Sequence, residues 1–177
     1  MTKTVLSILF FFSIIKAQEN YSYQKPPKEI LELVDVRLPP RVLIDDNRSY
    51  IVYLYRDSYK SISELSDPEI KLAGLRLNPN SNSRSRTNYY NNIMISKMDQ
   101  IDKSAKQIKG LPKNPKLANI KWSPDQTKIA MTNTTKEGVE LWYLDLKKSR
   151  MKKISSPDLN ANLGDVINWF HDGKSML

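Results

Sequence analysis

Residues 120–133 read IKWSPDQTKIAMTN, and residues 167–177 read INWFHDGKSML. With Trp122 set on Trp169, the turn residues Asp125 and Asp172 coincide, and Ile129-Ala130 falls on Met176-Leu177. A third copy, VLIDDNRSYIVYL over residues 42–54, puts Ile44 on the tryptophans, Asn47 on the aspartates and Ile51-Val52 on the apolar return. The unit is an apolar strand, a tight polar turn and a second apolar strand. The turn chemistry is specific: Pro124 presets its own φ, the Asp125 side chain accepts from nearby backbone N–H groups, and the next position favours glycine because φ is positive there. Gly173 meets that preference and Gln126 departs from it.

The spacing of the units points to one all-β architecture. From Trp122 to Trp169 is 169 − 122 = 47 residues, close to the ~40–45 of a four-stranded propeller blade. Within that interval lie four strand-length apolar segments, 119–122, 127–133, 139–146 and 151–155. From Ile44 to Trp122 is 122 − 44 = 78 residues, an excess of 78 − 47 = 31 that fits an insertion near 56–91. VELWYLDL, residues 139–146, carries Val139, Leu141 and Tyr143 on one face and Trp142, Leu144 and Leu146 on the other, as expected of a strand covered on both sides. Other segments of strand length are RVLID, SYIVYLYR, EIKLAGLRL, NIMISKM and AKQIKGL, whereas SYKSISELSDPE reads as one or two helical turns. The expected fold is a partial β-propeller of four-stranded antiparallel blades: a decorated first blade, a regular second, and a third that has only begun, together spanning 41–177. Such an open array leaves unpaired strand edges and is expected to self-associate if expressed alone.

The N-terminus reads MTKTVLSILFFFSIIKAQ, a basic start, an apolar run and a small residue at Ala17. This is the pattern of a cleavable signal peptide over 1–17, with the apolar run too short for a stable membrane span. The expected location is periplasmic or secreted. Residues 18–40, punctuated by Pro26, Pro27, Pro39 and Pro40, form a leading arm with one helical turn or a short strand. The 177 residues contain no cysteine and one histidine, which excludes disulfides, thiolate metal sites and a cysteine nucleophile. No cofactor or metal is expected. The formal charge is +9. Its lysines are scattered through 103–116 and 147–153, which reads as a solvated surface with no nucleic-acid partner.

Candidate chemistry is sparse. His171 sits in the turn WFHDG, and a turn role outweighs a triad role because the five glycines at 74, 110, 138, 164 and 173 never frame a G-x-S-x-G. Asp45, Asp46 and Asn47 lack the ligand spacing of an EF-hand and read as turn caps. Glu64, Asp67 and Glu69 form an acidic cluster in the insertion, read as a solvated loop face rather than an acid–base pair. NPNSNSRSRTNYYNN, 78–92, mixes arginine with tyrosine as single-strand nucleic-acid grooves do, but reads as a long surface loop able to shape a substrate entrance. No catalytic or substrate-binding residue is assigned within the chain.

WSPDQTKIAMTN followed by GVELWYLDL resembles the repeat shared by TolB-like propellers and those of prolyl oligopeptidase family serine peptidases. VDVRLPPRVLID, RDSYKSISELSDPEIKLAGLRLNPNSNSRSRTNYYNNI and GLPKNPKLANIKWSPD resemble the start of the propeller in the glutamyl-peptidase-like branch of that family. The resemblance runs from about Tyr23 to the end of the chain. It implies a serine peptidase whose Ser, Asp and His lie on a C-terminal α/β-hydrolase domain outside this chain, with the propeller gating peptide substrates. The alternative is a non-catalytic, TolB-like periplasmic protein-binding propeller, which explains the repeats and export but not the long first blade.

Overall fold

The computed structural model describes residues 24–100 and 105–177, so the leader at 1–17 lies outside the described residues. The chain divides into two units between Val36 and Arg37. In the first, helix α1 (Lys28–Val34) starts after Pro27, and its apolar residues Ile30, Leu31, Leu33 and Val34 are all exposed.

The second unit holds two four-stranded antiparallel sheets. The first is β1 (Arg41–Ile44), β2 (Tyr50–Tyr55), β6 (Asn92–Lys97) and β7 (Lys106–Gln107), in that spatial order. The second is β8 (Leu117–Trp122), β9 (Lys128–Thr134), β10 (Val139–Asp145) and β11 (Arg150–Lys153), again in chain order. These are two successive blades of a partial propeller. A third hairpin has begun, with Trp169 paired to Met176. Between β2 and β6 lie a short helix α2 (Ile62–Leu65) and a small sheet of β3 (Ile70–Leu72), β4 (Leu75–Asn78) and β5 (Ser83–Arg84).

Register follows the repeat. Ile44 pairs with Ile51, Trp122 with Ile129 and Trp169 with Met176, so each lead residue meets the residue seven positions on. The fourth residue after each lead has positive φ: Arg48 at 54°, Gln126 at 57° and Gly173 at 62°. Asp125 accepts from Ser123 Oγ, Thr127 N and Thr127 Oγ1, and Asp172 from Lys174 N, Ser175 N and Ser175 Oγ. In the first hairpin, of the three residues read as turn caps, Asp45 makes the closing hydrogen bonds, while Asp46 and Asn47 lie in the exposed turn. Asp45, only 2% exposed, accepts from Ser49 N at 2.8 Å and Tyr50 N at 2.6 Å. It stands where the second hairpin has Ser123, whose Oγ accepts from Lys128 N. A carboxylate there reaches the returning strand directly.

The segment EIKLAGLRL is not one strand. Ala73 and Gly74 both have positive φ, 45° and 86°, and fold it into the β3–β4 hairpin, the geometry two-residue hairpin turns require.

Period-two alternation builds the core between the two blades. Val52 and Leu54 of β2 lie beside Ile95 and Ile93 of β6. Ile129 and Leu144 pair across β9 and β10, and Met151 follows on β11. All belong to one buried cluster, and each fully buried aliphatic side chain stabilises the packing by about 1.5–3 kcal/mol. The far face of the second blade is buried too: Ala130, Thr132 and Val139 have no exposed surface. At the sheets' outer ends, Lys109 exchanges backbone hydrogen bonds with Ser149 and Met151. Among the described residues no helix is long and apolar enough to cross a membrane.

Candidate functional site

The insertion is held by its own polar chemistry. α2 opens with a capping box: Ser61 Oγ accepts from Glu64 N, and Glu64 Oε2 accepts from Ser61 N, which satisfies two otherwise orphaned donors. The hairpin beyond it is clamped by Glu69, which accepts from Ser85 Oγ, Arg76 Nη1 and Arg86 Nε. β5 then fixes the insertion to the chain that follows the second blade. The Ala161 N–H donates to Asn82 O at 2.8 Å, and Arg84 Nε donates to Asn162 O at 3.0 Å. Ser81 and Ser83, each 3% exposed, share a hydroxyl hydrogen bond of 2.8 Å beneath this contact.

Between the insertion and the second blade lies a cavity of about 520 Å³, within the range of small-ligand sites. One wall is α2 and the loop around β5, and the other is the link before β8 together with the β9–β10 loop. Hydrogen bonds donated by backbone N–H groups hold that second wall in place. Lys116 N donates to Asn133 Oδ1, and Thr134 N to Lys116 O. Lys116 also spans the cavity, with its Nζ 3.2 Å from Glu64 Oε1 and 5.7 Å from the centre of the Tyr89 ring.

Charge in the lining is unbalanced. Lys60, Arg84, Lys113, Lys116 and Lys136 face two carboxylates, Glu64 and Asp67, giving 5 − 2 = +3. Desolvation holds the Lys60 ammonium below its usual range, and Arg86 and Lys116 push the same way against the pull of Glu64. Among the described residues Lys60, Lys113 and Lys136 make no ion pair. Of the lysines read in sequence as scattered over 103–116 and 147–153, Lys113 and Lys116 line this cavity, beside Lys60, Lys136 and an arginine from the insertion.

The structure separates the acidic cluster. Glu64 and Asp67 line the cavity, while Glu69 is engaged in its clamp. Burial acts to raise the Glu64 carboxyl, but hydrogen bonds from Ser61 and Lys116 bring it below the usual range. Glu69 is lowered to about 2, first by Ser85, then by Arg76 and Arg86. A general acid near neutrality needs the opposite shift, so Glu64 and Glu69 are held as carboxylates at neutral pH. Because the native value of Glu69 lies below its ordinary 4.5, its clamp stabilises fully above pH 4.5 and loses that contribution as pH falls towards 2. Limited proteolysis within 68–86 is expected to accelerate from pH 6 to pH 3, and Glu69→Gln to remove that pH dependence.

His171 lies exposed at the tip of the third hairpin, with no hydrogen bond to its ring among the described residues. Asp46 and Asn47 are exposed turn residues, and no group of three or more acidic or histidine side chains suited to a metal occurs among the described residues. The stretch 78–92 is not a free loop, since β5 and the buried serines anchor it, yet Asn78, Asn80, Arg84 and Tyr89 from it line the cavity.

The chain is 30% identical over 165 residues, 88% of its length, to a protein described as a probable glutamyl endopeptidase, chloroplastic, of Oryza sativa subsp. japonica. It is 32% identical over 148 residues, 79% of its length, to the Arabidopsis thaliana protein of the same description. The chain is thus similar to glutamyl endopeptidases of the prolyl oligopeptidase family. It spans only 18% and 15% of the two relatives' lengths. Among solved structures it is similar to the acylaminoacyl peptidase of Pyrococcus horikoshii, at a TM-score of 0.42 and 14% identity, over 81% of this chain and 17% of that one. No family model matches it. Sequence reasoning missed the cavity of this prolyl oligopeptidase relative, although one signal was present. In the aligned repeats the insertion and the Thr135–Gly138 turn both follow a blade's second strand, so they meet at one rim.

Proposed function

We propose that this chain is part of the propeller domain of a serine peptidase located outside the cell or in an organelle. The bond-breaking Ser, His and Asp lie on an α/β-hydrolase domain outside the chain, and the propeller restricts which peptides reach them. The observation that carries this reading is the 30–32% identity to glutamyl endopeptidases over most of the chain, joined to a two-blade architecture with its insertion at the rim. In such an enzyme the serine attacks the peptide carbonyl, histidine moves the proton to the leaving amine, and backbone N–H groups hold the oxyanion. The blades supply walls, and the described residues bring together no nucleophile–base pair. A leader over 1–17 would direct export, leaving a mature N-terminus at Gln18.

The test uses the full-length protein. A fluorophosphonate probe is expected to label one serine, and a fluorogenic panel to show cleavage of short peptides with exclusion of folded proteins. Absence of both labelling and hydrolysis overturns the peptidase reading and favours the protein-binding alternative.

A further inference from the structure

Resting on that peptidase reading, we propose that the cavity between the insertion and the second blade binds an acidic stretch of a peptide through its carboxylates. Three chain segments distant in sequence contribute the cations: Lys60 and Arg84 from the insertion, Lys113 and Lys116 from the link before β8, and Lys136 from the β9–β10 loop. Bringing like charges together costs free energy unless something offsets it. The carboxylates present do not offset it. Glu64 is already committed to Lys116 and to the α2 capping box, and Asp67 is one charge against the remaining four. Lys60 is depressed first by desolvation, with Arg86 and Lys116 adding to it against the pull of Glu64, so its charge is poorly compensated where it sits. An anion entering the cavity relieves that repulsion.

The rest of the lining selects the kind of anion. Asn78, Asn80, Asn114 and Thr135 supply amide and hydroxyl groups that both donate and accept, as the backbone of an extended peptide requires. A single-stranded nucleic acid instead needs several aromatic platforms for its bases. Tyr89 is the cavity's one aromatic residue, and the Lys116 ammonium already lies over its ring. Glu64 and Asp67 in the same wall also disfavour a closely spaced polyphosphate. Carboxylates spaced along a peptide pair with the separated lysines and avoid both acids.

The experiment compares two fluorogenic peptides in the full-length protein. They share one cleavage segment and differ in four flanking residues, all Glu in one and all Gln in the other. A dye-labelled form of each is titrated in parallel by fluorescence anisotropy. The wild-type protein is expected to bind the Glu peptide more tightly and turn it over with higher kcat/KM, with the advantage shrinking as salt rises. Lys113→Ser with Lys136→Ser is expected to cut the Glu-to-Gln ratio about five-fold, from two exposed charge pairs. The control pair Lys106→Ser with Lys152→Ser removes the same charge from exposed positions on β7 and β11 and is expected to leave the ratio unchanged. No Glu preference in the wild type, or an equal loss in both double variants, overturns the proposal. So does tighter, variant-sensitive binding of polyphosphate or an oligonucleotide. Failure to cleave any peptide sinks the peptidase reading alone, because the anisotropy arm still reports on the cavity.

Discussion

Gly138→Ala is expected to destabilise the second blade by about 3 kcal/mol. Gly138 closes the β9–β10 turn at φ 149°, and its carbonyl accepts from Thr135 N. A Cβ at this position would lie 1.8 Å from the backbone oxygen of Pro157. Backbone has no flexible end that can swing aside, so relief requires moving either the turn or the 155–159 segment that pairs at Val139–Leu159. Overpacking of this kind costs about 1–3 kcal/mol, and a side chain held at such a φ adds about 1–3 more. In the full-length protein, hydrogen exchange at Thr132 and Leu141 is expected to speed by about two orders of magnitude. Exchange within two-fold of wild type would mean the Pro157 segment yields freely.

Glu140→Ala is expected to cost about as much, by another route. Glu140 is 8% exposed, yet it accepts from Lys153 Nζ, Trp142 Nε1 at 2.8 Å and Asn133 Nδ2 at 3.1 Å. Truncation strands the Asn133 amide, itself 3% exposed, and the Trp142 indole N–H. Each orphaned donor costs about 1–3 kcal/mol, while the half-exposed Lys153 regains water. Burial acts to raise the Glu140 carboxyl, and hydrogen bonds from Lys153, Trp142 and Asn133 outweigh it, so the native value lies below 4.5. Its contribution is therefore present in full above the unfolded value of 4.5 and fades as pH drops through the lower native one. The unfolding free energy from denaturant titration is expected to fall by about 3 kcal/mol at pH 7, and the gap from wild type to narrow as the medium is acidified. A gap that widens at low pH would mean the carboxylate is not stabilised in the fold.

Hairpin register was legible because each turn carries its own instructions. Trp122 and Ile129, or Trp169 and Met176, meet as the aligned repeats require, since a turn aspartate and a positive-φ residue define a connection without help from the rest of the chain. Where polar turn residues stand together the local reading is coarser: Asp45, Asp46 and Asn47 all read as caps, and only the reach to Tyr50 N singles out Asp45. It erred at Ala73, whose left-handed conformation no alanine advertises. The cavity was out of reach for a different reason. Lys60, Arg84, Lys113 and Lys136 become neighbours only after the insertion docks through Asn82 and Arg84 onto Ala161 and Asn162, and no periodicity encodes a docking contact.

Tyr55 and Asn92, which flank the insertion, are direct cross-strand partners. Its 36 residues (91 − 55) therefore leave and rejoin the blade through the same narrow doorway that the four-residue Thr135–Gly138 turn uses in the next blade. Growing a closed loop from four residues to 36 is about three doublings, an entropic penalty of only about 2 kcal/mol. The blade can thus host a miniature appendix of any ancestry without disturbing its ladder, and recognition can be rewritten there while the scaffold beneath stays the same.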